Sequence, residues 1–373
     1  MDGASVARRG ADQKPGLCVG VRHRELATGR AGVPQSLAMH GTAMAGRDVV
    51  LITDHAWPDT EVERELLERA GLALASGPAA PGSAAEIEAL VERHQPAAIL
   101  TCWAPVSARA VAASAKLRMV GRLGVGLDNI AVEAATRRGA WVTNVPDYCT
   151  QEVSDHAVGL LLALLRGLAR FDREVHAGRW DPASARLRRL STLTCGVIGY
   201  GRTGQRTARL LAAFGARVLA CTRHPPAGGM GDPGVEFLPL EELFGRCDAL
   251  LLHLPLNADS RHLLDARRLA LLRPGALIVN VSRGAVIDTA ALIAALASGR
   301  VGGAALDVLE DEPRVPPELL AHPNVILTPH VAFSSDAALA ELRRKAAEEV
   351  IRVLGGAAPL QPCNRPAGRE PGR

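Results

Sequence analysis

The chain has 373 residues, 48% of them apolar and 22% charged, so it can bury a sizeable core and is not a low-complexity polymer. At roughly 150 residues per domain, this length suggests about two domains. Basic and acidic side chains nearly balance (43 against 39), and aromatics make up only 3%, which leaves neither the electrostatic footprint nor the stacking platforms of a nucleic-acid reader. Residues 1–46 lack sustained periodicity and are rich in Gly, Ala and Arg, so a disordered extension is expected there. Met39 and Met44 precede the first strand pattern, and the true start is expected at one of them. Val49–Thr53 reads as a buried strand. Thr60-x-x-Glu63 has the spacing of a capping box, with Val62, Leu66, Leu67 and Ala70 on one predicted face and Gly71 as the stop. Ser83-x-x-Glu86 predicts a second capped helix. Strands are predicted at Ala98–Leu100, Met119–Gly121 and Trp141–Thr143, and helices at Ser107–Ser114 and Val132–Arg138. Strands alternating with helices imply a parallel, doubly wound sheet.

One long helix is predicted from about Gln151 to Phe171, with Thr150 as its cap and Val153, Ala157, Leu160, Leu161, Leu164 and Leu168 as its apolar stripe. Its longest apolar run, Ala157 to Leu165, falls short of the roughly 18 residues of a membrane span. A second strand–helix series runs from Thr194 to about Leu327. A last helix, Ala337–Leu354, ends at Gly355-Gly356. The fold class expected is α/β, with two doubly wound, Rossmann-like domains. Residues 1–25 carry charges throughout and no apolar stretch, so no secretory signal is expected. Seven cysteines without a C-x-x-C pair suggest neither a disulfide framework nor a zinc site, and fit a reducing, cytoplasmic setting.

Thr194–Ile198 runs into Gly199-Tyr200-Gly201-Arg202-Thr203-Gly204 and then into a helix. In that context the glycines have a physical reason. Gly199 allows the tight turn, Gly201 lets the backbone approach a pyrophosphate, and Gly204 lets helix and strand pack closely. The free N–H groups of Arg202, Thr203 and their neighbours at the helix start then face the phosphates. About 20 residues on, where an acid would hold the ribose 2′-hydroxyl of NAD, the chain reads Cys221-Thr222-Arg223-His224. Thr222 and Arg223 can donate to a 2′-phosphate, so NADP(H) is favoured over NAD(H).

Further motifs follow in a fixed order. They are Gly124-Val125-Gly126-Leu127-Asp128-Asn129-Ile130, Asn144 to Thr150, the dinucleotide loop, Val281-Ser282-Arg283-Gly284, Ala305 to Pro313 and Thr328-Pro329-His330. Over residues 48–362 the chain resembles the D-isomer-specific 2-hydroxyacid dehydrogenases. The resemblance implies catalytic roles for three residues. Arg283 grips the substrate carboxylate and keto oxygen, His330 is the acid/base, and Glu312 is its paired carboxylate. Guanidinium suits two adjacent oxygens, and a carboxylate beside a histidine favours its protonated form. The backbone N–H groups of Val125 and Gly126 are implied to hold the substrate carboxylate, and Tyr148 to line the pocket. Leu254, Pro255, Val281 and Asp307 are implied to lie along the cofactor, Asp307 beside the nicotinamide ring.

The same resemblance implies a cofactor domain (146–331) inserted into a substrate domain (47–145 plus 332–362), a disordered tail (363–373), and a homodimer. The expected activity is hydride transfer between NAD(P)H and a small 2-keto acid or D-2-hydroxy acid. No metal, nucleic acid or membrane partner is expected. Two alternatives stand beside it. Leu254–Asn280 and the end of the last helix resemble phosphite dehydrogenase, although that enzyme holds its anion with a lysine where Val125 stands here. The Asn144–Thr150 segment also resembles bacterial proteins likened to the C-terminal-binding corepressors, which implies a dinucleotide sensor.

Overall fold

The computed structural model describes residues 46–225 and 234–366. The expected N-terminal extension, with Met39 and Met44, lies outside the described residues. The first half alternates strand and helix: β1 (Val49–Ile52), α1 (Glu61–Arg69), β2 (Ala73–Ser76), α2 (Ala84–His94), β3 (Ala98–Thr101), α3 (Ala108–Ala113), β4 (Met119–Arg122), α4 (Val132–Arg138) and β5 (Trp141–Thr143). All pairings are parallel and the order is β2-β1-β3-β4-β5. Strands of three or four mostly buried residues such as Ala98-Ile99-Leu100-Thr101 need apolar cover on both faces. Leu67 of α1 lies on one face, and Ile87, Val91 and Val111 of α2 and α3 on the other.

The chain then enters α5 (Thr150–Arg166) and α6 (Leu168–His176) and builds a second parallel sheet. Its elements are β6 (Thr194–Ile198), α7 (Arg202–Ala213), β7 (Arg217–Cys221), β8 (Val235–Phe237), α8 (Leu240–Arg246), β9 (Ala249–Leu252), α9 (Ala266–Leu271), β10 (Ala276–Asn280), α10 (Thr289–Ala297), β11 (Val301–Leu306), α11 (Pro317–Ala321) and β12 (Val325–Leu327). The order is β8-β7-β6-β9-β10-β11-β12, a doubly wound arrangement whose strand order reverses between β6 and β9. Helices α5 and α7 cover one face, and α8 to α10 the other. The closing helix α12 (Asp336–Leu354) returns to the first sheet, where Leu342, Ala346 and Val350 join the core of β1, β3 and β4. The fold is thus two Rossmann-like halves, with the second inserted before the last helix of the first.

Three local expectations are corrected. The capping box at Thr60 and Glu63 does not form. Glu63 is fully buried and its carboxylate takes the guanidinium of Arg343 on α12 (Nε to Oε1 2.9 Å, Nη2 to Oε2 2.8 Å), while Val62 and Ala70 are exposed. The box at Ser83 and Glu86 does form. The long helix breaks at Gly167, whose left-handed φ of 61° caps α5 and opens α6, so Leu168 is exposed; Thr150 is α5's first residue, not its cap. The start of the expected tail is ordered. Pro362 bridges Thr143, the Cys363 N–H donates to the Val142 carbonyl, and Asn364 bonds Val142, Thr136 and Ala140. These bonds satisfy the open edge of β5, which otherwise presents unpaired backbone groups.

Candidate active site

Every chemistry-bearing residue sits at the carboxyl end of a parallel strand, where helix starts and loops leave a crevice. From the first sheet come Gly124–Asp128 after β4. From the second come Gly199–Gly204 after β6, His253–Pro255 after β9, Val281–Arg283 after β10, Asp307 after β11 and His330 after β12. One cleft of about 460 Å³ is lined by Arg283, His330 and Asp307 on one side and by Val125, Gly126 and Tyr148 on the other. Thr203, Leu254, Pro255 and Val281 border the same cleft. Glu312 lies behind His330, while Thr222 and Arg223 are at the end of β7, outside the cleft lining.

The His330 ring Nδ1 lies 2.9 Å from Glu312 Oε2, and Glu312 Oε1 accepts the Leu309 N–H at 2.9 Å. Burial alone would raise the Glu312 carboxyl, but the His330 hydrogen bond and charge, the Leu309 N–H and Arg283 together hold it below its ordinary value. His330 itself adopts φ 54°, a left-handed conformation uncommon for a side-chain-bearing residue. Its N–H donates to the Asp307 carbonyl at 2.8 Å. The buried Asp307 carboxylate accepts from Thr328 Oγ1 (2.6 Å), Val331 N–H (2.9 Å) and Ala332 N–H (3.0 Å) and so fixes the backbone on both sides of the histidine. Arg283 donates from Nε to Asp128 Oδ2 across the cleft at 2.8 Å and from Nη1 to the Ser282 carbonyl at 2.7 Å.

The dinucleotide loop has the geometry its glycines predict. Gly199 has φ 92° and packs on the His253 carbonyl, and a Cβ on Gly201 would meet nothing within 4 Å. That open space, directly before the first turn of α7, fits the approach of a pyrophosphate to free backbone N–H groups. Arg223 is ion-paired with Asp259.

Several residues escaped the sequence reading. Asn280 donates from Nδ2 to the Arg283 carbonyl (2.9 Å) and accepts from the Ser282 N–H and hydroxyl, fixing the arginine's turn. Asp54, fully buried, accepts N–H groups from Cys102, Trp103 and Ala104 and shapes the loop that brings Trp103 to the cleft. Phe333 gathers Trp103, Tyr148 and His330 at ring separations of 6.2, 6.4 and 6.5 Å. His253 borders the cleft with its Nε2 buried and unpartnered, and burial pushes its imidazole down to about 4. A strand-terminal histidine directly before Leu254-Pro255 was its only sequence signal. Among the described residues no cluster of His, Cys, Asp and Glu is placed to hold a metal, and no helix is long and apolar enough to cross a membrane.

A doubly wound sheet with this loop, facing a histidine–carboxylate pair and an arginine, defines a nicotinamide-dinucleotide-dependent oxidoreductase. Comparison with known proteins narrows the class. Residues 158–332 match the family model described as D-isomer specific 2-hydroxyacid dehydrogenase, NAD binding domain. A glyoxylate reductase of Pyrococcus furiosus is 40% identical over 237 residues, covering 61% of this chain and 70% of that protein. Among solved structures, an NADPH-dependent glyoxylate/hydroxypyruvate reductase of Sinorhizobium meliloti with NADP and malonate is 32% identical with a TM-score of 0.73, covering 88% of this chain and all of that one. A D-lactate dehydrogenase of Aquifex aeolicus is 27% identical with a TM-score of 0.75, covering 82% and 96%. The chain belongs to the D-isomer-specific 2-hydroxyacid dehydrogenase family, oxidoreductases acting on the CH–OH group of their donors.

Proposed function

We propose that the protein reduces small 2-keto acids such as glyoxylate and hydroxypyruvate to the corresponding 2-hydroxy acids, D-configured where a stereocentre forms. The observation that carries this reading is the meeting of Arg283, His330 and Glu312 at one cleft opposite the backbone of Val125 and Gly126. When bound, the nicotinamide supplies the hydride that reaches the substrate's carbonyl carbon. The residues of the chain do the rest. Arg283 exchanges Asp128 for the substrate and grips its carboxylate and keto oxygen, while the Val125 and Gly126 N–H groups hold the carboxylate from the other side. His330 donates a proton to the oxygen as charge grows there, and Glu312 orients the ring and stabilises its cationic form. Tyr148 walls the pocket. Asp307 sets the His330 segment beside the nicotinamide position.

Gly199, Gly201 and Gly204, with Arg202 and Thr203, would hold the pyrophosphate, and Leu254, Pro255 and Val281, which line the cleft, would lie along the cofactor. Thr222 and Arg223 at the end of β7 support NADP(H), with Arg223 turning from its present partner Asp259 to the 2′-phosphate. The domain limits proposed are 47–145 plus 332–362 and 146–331, with cleft closure excluding water. A homodimer is proposed through the cofactor half and the long-helix region, and a cytoplasmic setting fits the six cysteines that are free among the described residues. No observation here favours the phosphite-oxidising or sensor readings.

The test is oxidation of NADPH and NADH against glyoxylate, hydroxypyruvate and pyruvate. His330→Ala and Arg283→Ala should each lower kcat/KM by about 10²–10⁴-fold while cofactor still binds. Near-normal kcat/KM in either variant would refute that residue's role.

A further inference from the structure

His262 stands between β9 and α9, outside the cleft lining, and the mechanism above does not use it. It touches both segments that carry the catalytic groups. Its backbone N–H donates to the Ala285 carbonyl at 2.8 Å, in the turn that follows Arg283, and just beyond it Leu264 pairs with Ile287. Its ring reaches the other way, and Nε2 meets Oε1 of Glu310 in the loop that leads to Glu312. Oε2 of the same carboxylate accepts from Thr289, the first residue of α10, through its hydroxyl at 2.9 Å and its N–H at 3.3 Å. Burial would raise the Glu310 carboxyl, but the bonds from His262 and Thr289 hold it below its ordinary value. His262 makes this double reach with a left-handed φ of 50°, uncommon for a residue that bears a side chain.

The loop that Glu310 anchors is the one that aims Glu312. The Leu309 N–H donates to Glu312 Oε1 at 2.9 Å, and Glu312 Oε2 faces His330 Nδ1 at 2.9 Å. Leu309 is in turn pressed against the arginine's turn, since a Cβ added at Gly284 would collide with the Leu309 carbonyl group and the Glu310 nitrogen. The Arg283 turn and the Glu312 loop therefore pack backbone to backbone, and His262 bonds to both. With 41% of the His262 side chain exposed, its ion pair adds little to stability. Alignment is another matter, because a shift of about 1 Å at a reacting group can lower a rate by about 10²-fold. We propose that His262 is a positioning residue for the reduction, which through Glu310 fixes the loop that aligns Glu312 and His330 with Arg283. This rests on the 2-keto acid reductase reading and adds a residue to it.

The test measures glyoxylate reduction by wild type, His262→Ala, His262→Gln, Glu310→Ala and the double alanine variant, with solvent deuterium isotope effects on kcat/KM. His262→Ala should lower kcat/KM about tenfold. Its Kd for NADPH should change little, and its Tm should stay within about 3 °C of wild type. The solvent isotope effect should rise, because a misaimed His330 slows proton transfer relative to the other steps. His262→Gln keeps a donor near Nε2 and should recover most of the rate. The double variant should be no slower than Glu310→Ala, because His262 acts through Glu310. Near-normal kcat/KM in His262→Ala, beside a wild type that turns over glyoxylate, overturns the role of His262 alone. A loss of rate with an unmoved isotope effect marks a structural role and overturns it too, as does a double variant in which the two losses multiply. Should His262→Ala not fold, His262→Leu keeps the bulk without the donor and must show the same loss and the same rise. A wild-type protein that reduces no 2-keto acid overturns the parent reading and this one with it.

Discussion

His330 and Glu312 show what a single pair can decide. The Glu312 carboxylate is held below its ordinary 4.5, so the stability it contributes is fully present above that value and is lost as pH falls through the lower, folded value. Acid sensitivity from this pair should therefore begin only below about pH 4.5. Removing the charge should act on the proton donor. Glu312→Gln keeps a group to orient the ring but no longer favours its cation. Its kcat/KM for reduction should drop about 10- to 100-fold, while Kd for the cofactor should change little. A near-normal kcat/KM in a folded Glu312→Gln would make the Glu312 charge dispensable to the proton transfer. Cofactor choice is also set by one pair. Asp259 ties up Arg223, so Asp259→Asn should raise the NADPH-to-NADH ratio of kcat/KM several-fold; a ratio that stays or falls would argue that Arg223 does not meet the 2′-phosphate. Arg283, Glu312 and His330 were legible in the sequence because they stand in ordered motifs. Asp54, Asn280, His262 and His253 were not, because each is one common side chain whose meaning lies in contacts made across the fold.

Two identical sequence patterns had different fates at the level of the element. Ser83 and Glu86 close a capping box, while Thr60 and Glu63, with the same spacing, do not. The difference is tertiary. Helix α12 lands on α1 and brings Arg343 to Glu63, and a buried guanidinium competes better for a carboxylate than a backbone N–H does. No local pattern announces a partner 280 residues away. Removing Glu63 leaves Arg343, itself only 11% exposed at the side chain, without its buried partner. Glu63→Ala should cost about 3–5 kcal/mol in urea unfolding. Thr60→Ala, at a cap position whose buried side chain makes no cap bond and only a 3.4 Å contact with Ser76 Oγ, should cost about 1 kcal/mol. A large loss at Thr60 with a small one at Glu63 would reverse this account. The strands and most helices were readable because short buried runs and capped periodic segments alternate. The break at Gly167 was not, because the apolar spacing continues through it to Leu168.

Across the whole molecule, the sequence suggested two strand–helix series, and its residues alone could not say that the second is inserted into the first. That depends on α12 crossing back to cover β3 and β4, a packing choice invisible to periodicity. The same scale explains the segment after Gly167. Helix α6 buries none of its residues, Leu168 and Val175 are exposed, and Trp180 just beyond is 84% exposed. A tryptophan that bare, following an uncovered helix, is costly to leave in water and typical of an interface anchor. The family-based expectation of a homodimer supplies the occupant, a second copy of this chain. Trp180→Ser should then shift sedimentation from dimer to monomer at micromolar concentration. The monomer should still bind cofactor, because the dinucleotide loop and the cleft lie at the carboxyl ends of the strands and none of their residues belongs to this segment. A wild-type protein that sediments as a monomer would refute the dimer outright. A variant that stays dimeric would move the interface away from Trp180.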